Sequence, residues 1–183
     1  MKISLRSDKI IYSFIVLLSG VLLMNNNSYP QDKHNHNKHQ MGDSTLEHRQ
    51  HMIHSESHMV MPFDMNKVTH YFIKNEYGGI ITIKVKDEKD TAQIELIRSH
   101  LKKEQKLFSK ADFRDPKTLH GEEMSGLEVL SGSEGKFDVK YNEIPKGASV
   151  TFSSKDSTVV NALHKWFDAQ LKDHGSDAKN LGD

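Results

Sequence analysis

From residue 61 onward, apolar and polar positions first alternate, then recur at helical spacing, and then repeat both patterns. VTHYFIKNEYGGIITIKV (68–85) has branched and aromatic residues on either side of Tyr77–Gly78–Gly79, which predicts a hairpin turning at those three residues. Ile94, Ile97, Leu101, Leu107 and Phe108 follow near a helical period, so a helix is expected from about Asp90 to Lys110, capped by Asp90 or Thr91. Residues 108–135 show no sustained period and read as irregular, with one helical turn around Met124 to Leu130. Phe137, Val139 and Tyr141 alternate before Ile144–Pro145–Lys146–Gly147, and Ala148, Val150 and Phe152 alternate after it, which predicts a second hairpin. Val159, Val160, Leu163, Phe167 and Leu171 form the stripe of a last helix from about Ser157 to His174, ended by Gly175. The pattern therefore predicts an α+β domain. Two antiparallel hairpins and two main helices run in β-β-α-β-β-α order, with the helices packed on one face of the sheet.

Ahead of residue 61 the pattern changes twice. Lys2, Arg6 and Lys9 precede the apolar run IIYSFIVLLSGVLLM, Ile10 to Met24. A basic segment followed by a short apolar stretch matches a secretory signal and is short for a membrane span. Residues 1–29 are thus expected to be a signal peptide or an N-terminal anchor, which implies a periplasmic or secreted protein. Membrane contact is expected only through this segment, if it stays uncleaved. Residues 30–60 are polar, with few branched or aromatic side chains, and read as a disordered linker rich in His and Met. A helix from Leu46 to Met61 would place His48, His51 and His54 at three-residue spacings, but weak caps and few apolar residues argue against it. The folded domain is expected over 61–176, with a flexible tail at 177–183.

Composition narrows the chemistry. The chain has no cysteine, so disulfides, thiolate metal sites, cysteine nucleophiles and a CxxCH heme attachment are excluded. Formal charge is zero over 183 residues, and the chain turns slightly acidic once Lys2, Arg6, Asp8 and Lys9 are set aside. No positive field is present to gather nucleic acid. GxSxG, a phosphate-cradling glycine loop, a dinucleotide fingerprint and HExxH are all missing.

Histidine is the residue type that stands out. Seven of the twelve lie in the polar tract, where HMIH and HMVM mix imidazole with thioether within a few residues. Imidazole suits copper and zinc, and thioether sulfur selects Cu(I). That chemistry singles out His51, His54, His58, Met59 and Met61. In the domain, His70 shares a strand face with Val68 and Phe72. His100 has Glu104 one turn later, and His164 has Asp168 one turn later, a spacing at which a carboxylate can orient an imidazole. His120 and Met124 sit in TLHGEEM, a tract with several donor types, and His174 ends the last helix. The competing reading places His100 and His164 at the core boundary and gives His174 a helix-capping role.

From Met61 to Gly175 the chain also resembles a group of small secreted bacterial proteins of uncharacterised function. The resemblance rests on the opening MPFDMNKVTHYF and the later blocks IRSHLKKE, ADFRDPKTLHGEEMSGL and ALHKWFDAQLKDHG. Some members carry a carbamoyltransferase label. This chain gives it no support, being too short for the usual two-domain enzyme and lacking a carbamoyl-phosphate loop. The resemblance implies that His70, His100, His120, Met124, His164 and His174 fall inside the group's signature blocks, which singles them out as a set without supplying a mechanism. These observations lead to an exported metal-binding protein that buffers or delivers copper through His and Met, with zinc as the other candidate ion. A non-catalytic envelope interaction or structural module, with an envelope protein as partner, and a metal-dependent hydrolase are the alternatives.

Overall fold

The computed structural model describes residues 40–181. The expected signal or anchor, and the part of the polar tract before residue 40, lie outside them. Five α-helices and five strands are present among the described residues. They are α1 (Gln40–Glu56), β1 (Val68–Asn75), β2 (Gly78–Val85), α2 (Thr91–Phe108), α3 (Arg114–His120), α4 (Leu127–Ser131), β3 (Asp138–Ile144), β4 (Gly147–Ser153), α5 (Ser157–His174) and β5 (Ala178–Asn180). The strands form one sheet in the order β3-β4-β2-β1-β5, antiparallel throughout except where β5 runs parallel to β1.

This corrects the simple β-β-α-β-β-α expectation. Two short helices, α3 and α4, occupy the stretch that looked irregular. A further helix, α1, forms within the tract that looked unstructured, and a fifth strand forms from the expected tail and makes the sheet mixed. The first turn also differs. Asn75 pairs with Gly78, so Glu76–Tyr77 makes the turn, and Gly78 and Gly79 belong to β2. Gly79 is needed there for space. A Cβ on it would stand 2.3 Å from the Ile73 carbonyl oxygen and 2.6 Å from Cε2 of Phe167 on α5.

Strand alternation decides which face is buried. Val68, His70 and Phe72 of β1 lie opposite Val85, Ile83 and Ile81 of β2, and Ile83 and Ile81 lie opposite Ala148 and Val150 of β4. All are buried. The intervening positions carry Thr69, Tyr71, Thr82 and Lys84, and the Lys84 ammonium sits 5.1 Å over the Tyr71 ring. Asp90 caps α2 by accepting from the Gln93 amide, and Asp156 caps α5 by accepting from the Thr158 amide. Each helix turns one stripe inward: Ile94, Ile97, His100, Leu101, Glu104 and Phe108 from α2, and Val159, Leu163, Trp166, Phe167, Gln170 and His174 from α5. Trp166 is boxed edge-on by Phe108, Phe113 and Phe152 at centroid distances of 5.3–5.6 Å.

The inward stripes are not uniformly apolar. His70 on β1, His100 and Glu104 on α2, and Gln170 and His174 on α5 occupy positions that the period reserves for the core. They gather at one end of the layer between sheet and helices, and α3 closes that end with His120.

Candidate functional site

A cavity of about 60 Å³ lies at this end of the core. The sheet supplies His70, Phe72, Ile81 and Ile83. Helix α2 supplies His100, Leu101, Glu104 and Phe108, α3 supplies Asp115, Pro116, Leu119 and His120, and α5 supplies Trp166, Gln170 and His174. Val60 and Met61, just after α1, complete the wall. The volume suits a few water molecules or an organic molecule of about four heavy atoms.

Three of the lining side chains hold buried polar atoms without a hydrogen-bond partner. These are both ring nitrogens of His70, Oε1 of Glu104 and the indole Nε1 of Trp166. An unpaired buried polar atom costs about 1–3 kcal/mol, so such groups are uncommon in a settled core. Beyond hydrogen-bond reach, His100 Nδ1 and Lys103 Nζ stand 4.0 and 3.8 Å from Glu104 Oε1, and several other polar groups are engaged. His120 Nδ1–H donates to Asp173 at 3.0 Å, and His174 Nε2–H donates to Gln170 Oε1 at 3.1 Å. The Gln170 amide in turn reaches the Met124 sulfur at 3.5 Å. Arg49 of α1 grips Asp173 with two bonds of 2.6 Å and donates to the His120 carbonyl at 2.9 Å.

Electrostatics keeps the interior neutral. Burial pushes His70 down to about 3 and His100 down to about 4, and it drives His174 well below the ordinary imidazole value. The neighbouring histidines add to the depression of His70 and His174, and Lys103 adds to that of His100. The backbone at Asp177 favours a charged His70, but neither ring nitrogen completes a hydrogen bond to it. Burial, reinforced by the adjacent Asp115, pushes Glu104 up to about 8. A protonated Glu104 thus donates to Asp115. Burial opposes ionisation of Asp115, but the bonds from Lys103, at 2.6 Å, and from Glu104 outweigh it and hold Asp115 below its usual value. Asp173 is likewise held low, because His120 and Arg49 outweigh its burial. Glu104 therefore keeps its proton at neutral pH.

The residues singled out in the sequence fall into two sets. His70, His100, His120, His174 and Met61 line the cavity, and Met124 is buried beside Gln170. His164 stands apart, donating from Nε2 to the carbonyls of Asn75 and Gly78 at 3.0 and 2.9 Å, so it secures the first hairpin. On α1, His51 is exposed and His54 donates to Asp177 at 2.7 Å. Beyond α1, His58 donates to the Ser55 carbonyl and Met59 is exposed.

Convergence of imidazoles does not make a metal centre here. Among the described residues no group of three His, Asp or Glu side chains can hold a metal ion. The geometry shows why. The His70 and His174 rings stack at 4.9 Å with only 12° between their planes, so their in-plane lone pairs run side by side. His120 is set edge-on to His174 at 5.1 Å and gives one nitrogen to Asp173. The expected copper or zinc cofactor, the metal-ion partner, the copper-buffering role and the metal-dependent hydrolase are therefore overturned for the described chain. Scattered, hydrogen-bonded domain histidines would have favoured the structural-module alternative with its envelope protein partner. Four of them converge instead, and His70 is unbonded. No described helix is long and apolar enough to cross a membrane, and the N-terminal segment through which membrane contact is expected lies outside the described residues.

Arg49, Asp115, Trp166, Gln170 and Asp173 were not singled out from sequence. Polar residues at stripe positions were the available signal for Gln170, as they were for His100 and Glu104. No family model, curated protein or solved structure matches the chain.

Proposed function

We propose that the domain is an exported receptor for a small neutral molecule that both donates and accepts hydrogen bonds. The observation that carries this reading is the set of unpartnered polar atoms on His70, Glu104 and Trp166 around one largely apolar cavity. Their protonation states define the ligand. The Trp166 N–H needs an acceptor. Oε1 of a protonated Glu104, whose hydroxyl goes to Asp115, needs a donor. Neutral His70 offers one of each. A charged ligand would meet no counter-charge on these three groups and would lose its hydration. A short primary amide or alcohol meets both requirements and the size. The basic and apolar N-terminal segments support the exported location, and the blocks at Met61–Gly175 support membership of the group of small secreted proteins that the chain resembles.

The test is a titration of the protein with formamide, acetamide, propionamide and the matching alcohols, followed by fluorescence of Trp166, the sole tryptophan. A saturable change that weakens as the chain lengthens, and that is lost in His70→Phe, is expected. Linear, non-saturating responses throughout the series, unchanged by His70→Phe, would sink the proposal.

A further inference from the structure

Resting on the binding reading above, we propose that α1 and the residues up to Met61 form a lid that latches over the cavity and opens to admit its ligand. Val60 and Met61, which wall the cavity, follow directly on from α1 and the short helical turn Ser57–Met59. Any movement of α1 is thus transmitted to the cavity wall.

The attachment of α1 differs in kind from that of the other long helices. Helices α2 and α5 each bury a long, mostly apolar stripe in the main core. Among the described side chains of α1, Ile53 is the only apolar one that is buried, and it lies outside the continuous core cluster. Polar contacts do the rest, and nearly all reach the C-terminal end of α5. Arg49 holds Asp173 and the His120 carbonyl, Gln50 donates to the Lys172 carbonyl at 2.7 Å, and His54 donates to Asp177. Gln50 packs so closely on Gly175 that a Cβ there would stand 2.6 Å from its Oε1. Segments with few buried apolar contacts and hydrogen bonds near the surface open at lower free energy than the core they cover. The latch also ends on the cavity's own residues, since Asp173 is the carboxylate that holds His120. Opening therefore loosens the wall at Met61 and the setting of His120 together.

The indole N–H of Trp166 supplies a readout that needs no ligand. It is the only indole in the protein, buried and unpartnered on the cavity wall, so its hydrogen exchange reports water entering the cavity. Exchange of this proton and of the α1 and β2 backbone amides is followed by NMR in the wild type, Arg49→Ala and Gln50→Ala. Faster exchange of α1 and an accompanying several-fold acceleration at the Trp166 indole, with β2 amides unchanged, are expected. Faster α1 exchange with an unchanged indole overturns the lid, and so does unchanged exchange in both. If Arg49→Ala also loses β2 protection, Gln50→Ala decides, because it removes an exposed bond to a carbonyl and a contact with Gly175 without leaving a charge unpaired. Failure of the amide and alcohol titrations leaves this readout intact, so loss of the receptor reading and loss of the lid are distinguishable.

Discussion

Replacing Glu104 by Gln separates the charge of this side chain from its shape. In the folded protein the carboxyl holds its proton up to about 8, against a usual value of 4.5. As pH rises through this interval the unfolded chain releases the proton and the folded chain keeps it. Folding is therefore weakened progressively from about pH 4.5, by about 1.4 kcal/mol per pH unit, until the folded carboxyl ionises too. Between pH 5 and pH 7.5 the loss attributable to this one group is on the order of 3 kcal/mol. A Gln at this position keeps an N–H for Asp115 and a carbonyl at the cavity, and it has no proton to lose. Comparing the two proteins at each pH subtracts what the groups common to both contribute. Urea unfolding of wild type and Glu104→Gln at half-unit steps from pH 5 to pH 7.5 should show the variant gaining steadily on the wild type, by about 3 kcal/mol at the top of the range. A stability difference that stays constant with pH would refute a neutral Glu104, and with it the neutral cavity.

Two further outcomes follow from the same geometry. His70 is pushed down to about 3 from 6.5, so its contribution is complete above pH 6.5 and is lost as pH falls toward 3. Thermal and urea unfolding of His70→Phe should show an acid loss between pH 7 and pH 4.5 that is about 2–3 kcal/mol smaller than in the wild type, and equal losses would contradict a neutral buried ring. Gly79→Ala should cost about 3 kcal/mol through overpacking between the Ile73 carbonyl and Phe167, read by urea unfolding, and a cost below about 1 kcal/mol would show that α5 does not approach β2 this closely.

What the sequence disclosed depended on whether a segment's burial is periodic. In β1, β2 and β4, side chains at every second position face the helices, so alternation of Val, Ile, Phe and Ala marked these strands directly. Helices α2 and α5 bury one stripe each over 18 residues, long enough for the helical period to show. Helix α1 could not be found this way. Its described side chains bury Ile53 alone among the apolar ones, and Arg49, Gln50 and His54 dock it through polar contacts that leave no hydrophobic period. The seven-residue α3 and five-residue α4 are too short to show a period. Strand β5 is a three-residue edge whose register is set by His70 pairing with Ala178, a relation no local pattern contains. The cavity was half legible. The histidines stood out by type, and polar residues in apolar stripes at 70, 100, 104, 170 and 174 marked where they meet. The orientations that decide their chemistry did not, because two stacked rings and two converging lone pairs can come from the same sequence.

Those orientations explain how a core so rich in ionisable groups can hold together. Charge is sorted by depth. The two ionised carboxylates, Asp115 and Asp173, are each held by a cation on the solvent side, Lys103 and Arg49, whose side chains are 57% and 46% exposed. The groups further in, His70, His100, His174 and Glu104, are all shifted toward their neutral forms. The shifts have opposite sense for base and acid, so one range of pH leaves all of them uncharged. Below about 4 the His100 imidazole begins to charge, and above about 8 Glu104 does. Between those limits these four groups are polar without being charged, and the ionised Asp115 on the wall is paired with Lys103. Such a cavity has little to offer an ion and much to offer a neutral molecule with one donor and one acceptor. The same sorting places the Arg49 latch on Asp173, at the boundary between the charged rim and the neutral interior, where a change in the lid reaches His120 through a single carboxylate.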